Sequence, residues 1–133
     1  MRKLGSQGLE VAEIGLGKPA AEYPADDMRS RDERWQPGNY EKNLAAIQQL
    51  SALADAKGVT VTQLALAWLL AQGDDIVPIP GTRRPERVDE NVAAKVGLTA
   101  DDLARIREIV PEGAAGSRYR EAAMPAWERA GKN

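Results

Sequence analysis

Cysteine, histidine and phenylalanine are all absent from the 133 residues. Without cysteine there can be no disulfide, no thiolate nucleophile and no Cys-ligated zinc. Without histidine as well, a transition metal would have to be held by carboxylates alone, a poor donor set. Three Trp and three Tyr are the only aromatics, so a core must rest on Leu, Ile, Val and Ala. An excess of one charge is missing too. The 18 basic and 20 acidic residues are interspersed and sum to −2, which gives neither a basic field for nucleic acid nor an acidic tail. No run approaches the ~18 apolar residues of a membrane span. The opening MRKLGSQG lacks the apolar centre of a signal peptide. These absences leave a cytoplasmic chain of one domain or less, long enough for a modest core.

What is present is concentrated in Asp74–Asn91, DDIVPIPGTRRPERVDEN. Ile76–Ile79 is a short apolar run that reads as a buried strand. Pro80-Gly81 stops it, and Pro85 suits the first turn of a helix, where its missing N–H is no loss. Strand, tight loop and helix start make half of a βα unit. The loop carries Thr82, Arg83 and Arg84, and Arg87 follows about one turn into the helix. Backbone N–H groups at a helix N-terminus, a hydroxyl and guanidinium groups make a phosphate site. The alternative is a solvated basic turn, since surface arginines are common.

The rest is read in order. Residues 2–16 predict a hairpin turning on Gly5-Ser6-Gln7-Gly8. Gly15 and Gly17 flank Leu16, but with no third glycine or following helix this is not a dinucleotide loop. Residues 18–39 have no period and three prolines, and predict a long loop or disordered linker. There the pair Asp26-Asp27 reads as solvated charge, and Trp35 as the seal of an apolar edge. A first helix follows with Asn39 as N-cap, Leu44, Ile47, Leu50 and Leu53 or Ala54 on one face, and Gly58 as its stop. A second opens with the capping box Thr60…Gln63 and is apolar nearly all round from Leu64 to Leu70, so Trp68 reads as core. The third runs from about Pro85 to Lys95 with Val88 and Val92 as its inner stripe. The fourth is capped by Thr99, has Asp101 and Asp102 at its positive end, and buries Leu103, Ile106 and Val110 until Pro111. The tail 112–133 has little period and is expected to be mobile unless Trp127 docks.

The run IPGTRRPERVDEN, preceded by VTVTQLALAWLLAQGDDIVP and followed by LTADDLARI, resembles the C-terminal cofactor segment of the aldo-keto reductases. These are NADP(H)-dependent (β/α)8-barrel enzymes that reduce aldehydes and ketones. The opening RKLGSQGLEVAEIGLG is similar to the family's first hairpin and barrel strand. The resemblance implies that Thr82, Arg83 and Arg87 hold the 2′-phosphate of NADP(H), that Gly81 lets the backbone approach, and that Glu90 and Asn91 meet the adenine. Forked, charge-assisted donors suit that phosphate, which favours arginine over lysine.

A barrel of this kind takes about 250 residues, and the text passes from the opening strand at Gly17 to the loop after the seventh strand. The expected fold class is therefore α/β: a truncated, incomplete (β/α)8 (TIM) barrel, mostly helical, with a short hairpin and one or two barrel strands. It would form a single partial domain of hairpin and first strand (1–17), loop (18–39), helix-helix-strand-helix-helix (40–110) and tail (111–133). The family's Asp, Tyr, Lys and His tetrad falls in the missing block, and none of Tyr23, Tyr40 or Tyr119 has the family's setting. No catalytic residue and no metal ligand is assigned. Val11–Leu16 is expected to pair with Ile76–Ile79, since an unpaired buried strand group costs ~1–3 kcal/mol. Two readings follow: a chain with weak or vestigial NADP(H) binding and no turnover, or a structural, self-associating helical fragment with no ligand of its own.

Overall fold

The computed structural model describes residues 2–4, 9–11 and 17–117. Strands β1 (Arg2–Leu4) and β2 (Leu9–Val11) pair antiparallel, with Arg2 opposite Val11 and Leu4 opposite Leu9. The expected hairpin is therefore present, and its turn residues lie outside the described set. Four α-helices follow: α1 (Asn39–Ala56), α2 (Val61–Leu70), α3 (Pro85–Val92) and α4 (Ala100–Ile109). The chain divides into two compact units. One is Leu44–Pro111, grouped with the hairpin; the other is Lys18–Asn43, grouped with residues 112–117 of those described.

The helix boundaries follow local chemistry. After α1, Gly58 adopts φ +67. Its N–H donates to the Asp55 carbonyl (3.0 Å) and that of Val59 to Ala54 (3.0 Å). This pair of bonds satisfies carbonyls that a helix end leaves open. Thr60 then caps α2: its side chain accepts from the Gln63 N–H, and the Gln63 side chain accepts in return from the Thr60 N–H. Thr99 and Asp102 repeat the device on α4. Asn39, expected as the cap of α1, is instead its first residue. Its amide turns back to donate to the Glu33 carbonyl (2.9 Å).

In the first unit the core gathers around Ala54, Leu64 and Ile106, with Leu50, Leu53, Val59, Val61, Leu98 and Val110 against them. Burying a side chain such as Leu64 contributes ~1.5–3 kcal/mol. Of the apolar stripes predicted for α1 and α4, Leu50, Leu53 and Ala54 of the first and Ile106 and Val110 of the second belong to this cluster. Trp68 corrects the expectation of a core position, since it is 37% exposed. The third helix ends at Val92 rather than Lys95, and its stripe is open, with Val88 at 49% and Val92 at 67% exposure.

The predicted strand Ile76–Ile79 does not form. These residues are irregular, with Val77 77% and Ile79 92% exposed. A strand exists only where a neighbour takes up its backbone groups, and none of the described residues pairs with this one. The expected partner, Val11–Leu16, lies mostly outside the described residues. Among those described, the barrel strands of the expected fold are absent and the architecture is helical.

In the second unit, residues 18–39 are more ordered than a linker. Short 3-10 helices occupy Ala20–Glu22, Met28–Ser30 and Glu33–Trp35. Asp27 accepts from the Arg29 N–H (2.9 Å) and pairs with its guanidinium (2.6 Å). Asp32 does the same with Arg34, at 3.0 and 2.8 Å. Trp35 is buried, as are Tyr40 and Asn43. The Asn43 side chain clasps Ala115 through both its backbone groups (2.7 and 2.9 Å).

Candidate functional site

The residues singled out by sequence sit on one short path, from the irregular segment 78–84 into α3. Pro85 occupies the first turn of α3 and Arg84 stands at its N-cap, with no side chain bonding back to the helix start. Arginine and proline cannot cap, since neither supplies an acceptor. Helices α2 and α4 each close their first turn with a capping box; α3 does not. The Thr82 hydroxyl lies just outside, accepting from the Arg84 N–H (3.1 Å). Gly81, Arg83 and Arg84 are exposed, while Thr82 and Arg87 are half-buried.

Against α2 and α3 lies a partly open pocket of about 280 Å³. Leu66 and Leu70 of α2, Pro78 and Pro80, and Val88 and Val92 of α3 give it apolar walls; Thr82, Asn91 and Lys95 add polar groups. The two valines predicted to face a closed core thus line an opening. Thr82 and Asn91, two of the expected site residues, both line it.

Glu90 has a more specific place. Its carboxylate accepts from the Thr60 hydroxyl (2.9 Å), and its backbone carbonyl accepts from the Gln63 side-chain amide (3.1 Å). The signal that could have found this is Thr60…Gln63 itself. Both side chains keep a donor after closing the capping box, but nothing local says where those donors point.

An uncapped helix start carries partial positive charge. With a hydroxyl and guanidinium groups beside it, it can receive a doubly charged phosphate. A pocket with apolar walls and an amide at the rim can receive a flat ring. The residues present therefore suit a phosphorylated nucleotide. Among the described residues, no group of three His, Cys, Asp or Glu gathers as a metal site, and no helix is long and apolar enough to cross a membrane.

Residues 16–111 match the Aldo/keto reductase family. The chain is 42% identical over 107 residues to an aldo-keto reductase of Schizosaccharomyces pombe named yakc and NADP(+), covering 79% of this chain and 32% of that protein. It is also 42% identical over 125 residues to the probable aldo-keto reductase 1 of Glycine max, covering 89% of this chain and 36% of that one. The chain belongs to the aldo/keto reductase family. It spans about a third of the length of the curated relatives it matches.

Proposed function

We propose that the chain carries the NADP(H) 2′-phosphate-binding segment of an aldo/keto reductase without its reacting half, and binds the cofactor weakly without turning it over. Thr82, Arg83 and Arg87 would hold the phosphate at the start of α3, Gly81 would let the backbone approach, and Glu90 and Asn91 would stand toward the adenine. The bound cofactor supplies the hydride in this family's chemistry. This chain's residues supply charge and shape for its adenosine end. The observation that carries the reading is the uncapped, arginine-flanked start of α3 within the segment that matches the family. The NADP(+) in the name of the Schizosaccharomyces pombe relative supports the choice of cofactor.

Reduction also needs a proton donor placed beside the carbonyl. The sequence has no histidine, so the tetrad cannot be completed from this chain. Mixing the protein with NADPH and a reactive aldehyde tests this: the nicotinamide absorbance should stay constant. A saturable loss would overturn the claim of no turnover.

The second reading, a self-associating fragment, is favoured by one observation. Leu69, Leu70, Ile76, Val77, Ile79 and Val92 are all exposed within the first unit. Light scattering on a size-exclusion column separates the two readings, since a stable monomer leaves the second without support.

A further inference from the structure

We infer that Glu90 is a positioning residue, which the capping box of α2 holds through Thr60 and Gln63 so that α3 presents Arg87 and Asn91 in a fixed orientation. This inference rests on the cofactor reading for its effect on binding, but not for the brace itself.

The local chemistry starts at Thr60. Its hydroxyl oxygen accepts from the Gln63 N–H (3.2 Å), which is the ordinary work of an N-cap. The hydroxyl hydrogen remains and goes to the Glu90 carboxylate at 2.9 Å. Gln63 divides its side chain in the same way. Its amide oxygen accepts from the Thr60 N–H (3.0 Å) and its NH₂ donates to the Glu90 carbonyl (3.1 Å). A flipped amide would set donor against donor at Thr60 and acceptor against acceptor at Glu90, so only one orientation serves both.

The carbonyl contact joins two helices. Near the end of α3 the Ala93 N–H donates to Asp89 and the Ala94 N–H to Asn91. In that last turn the Glu90 carbonyl accepts from the Gln63 amide of α2. One residue of α3 is thereby fixed at both backbone and side chain by the two capping residues of α2. Arg87 and Asn91 lie three residues before and one residue after it on an eight-residue helix. So short a helix holds little structure by itself, and this attachment helps to set the orientation of its ligand-facing groups.

The test uses Thr60→Asp in the full chain. Aspartate remains a good N-cap, so α2 keeps its start, but its charge faces that of Glu90 and the hydroxyl donor is gone. Thr60→Asp/Glu90→Gln restores a donor–acceptor pair with the polarity reversed. Hydrogen exchange without ligand should show α3 amides losing at least tenfold protection in the single variant and regaining it in the double, while α2 and α4 are unchanged. NADPH affinity should fall about tenfold in the single variant; because Glu90 also stands toward the adenine, recovery in the double variant is read from exchange alone. Wild-type protection of α3 in Thr60→Asp, or no recovery in the double variant, would overturn the brace. If wild-type protein fails to bind NADPH while exchange follows the predicted pattern, the cofactor reading fails and the brace stands. If α3 exchange responds but affinity does not, Glu90 braces the helix without positioning the ligand groups, and the positioning role is overturned.

Discussion

Lys57 Nζ lies 2.6 Å from the Asp102 carboxylate, so the residue that follows α1 is tied to the third residue of α4. The same carboxylate closes the capping box with Thr99, accepting from its N–H and its hydroxyl. The Lys57 ammonium, and then the Thr99 N–H, hold the Asp102 carboxyl below its ordinary range. In the second unit, the Arg29 side chain draws Asp27 down from 3.8 to about 2.

The pH dependence follows from the sign of these shifts. Both carboxyls bind a proton less readily folded than unfolded, so their contribution is present above about pH 4 and lost as pH falls below it, toward about 2 for Asp27. The thermal midpoint is expected to be level near neutrality and to decline across that acid window. Both pairs lie near the surface, with the Asp27 and Asp102 side chains 23% and 14% exposed, and the decline should be modest. Asp102→Asn should flatten part of it; a profile unchanged by that substitution would contradict the assignment.

Two glycines separate backbone strain from crowding. Gly58 has φ +67, and a Cβ there would meet nothing within 4 Å. Gly58→Ala is expected to cost ~1 kcal/mol, the conformational penalty alone. Gly116 has φ +92, and its Cβ would lie 2.9 Å from the Arg34 nitrogen and the Glu33 carbonyl carbon. Gly116→Ala should therefore cost more than Gly58→Ala in denaturant unfolding of each variant. Equal costs would show that the 112–117 segment is not held against 33–39.

Ile79 tests the state of the segment that was expected to be a strand. At 92% exposure, Ile79→Lys should change stability by no more than ~0.5 kcal/mol. A buried barrel strand would lose several times that on receiving a charge. A large loss on urea unfolding would mean that the segment is covered in solution.

The features legible in sequence are those decided within a few residues. Thr60 with Gln63, Thr99 with its acidic first turn, and Gly58 each fix a helix end through neighbours in the chain, and each appears where expected. The 3-10 turns of 18–39 had a local signal too: Asp-x-Arg occurs at Asp27–Arg29 and again at Asp32–Arg34, each aspartate capping the turn it opens. Ile76–Ile79 failed for the opposite reason. Its composition suits a strand, but a strand is made by its neighbours, and composition says nothing about whether they are present. The contacts of Glu90 were out of reach for a related reason, since Thr60 is 30 residues away and the pattern of neither segment names the other. Of the candidate site, Thr82 and Asn91 both line one pocket, while Gly81 and Arg83 lie exposed beside it.

The central claim is that the arginines of 83–87 read a 2′-phosphate, and calorimetry with NADPH and NADH on wild-type protein and on Arg83→Met/Arg87→Met tests it most directly. Each charge-assisted bond contributes ~1.5–3 kcal/mol, so wild-type protein should prefer NADPH by at least tenfold and the double variant should bind both cofactors equally. Equal affinities in the wild type, or a preference that survives loss of both guanidinium groups, would contradict the account.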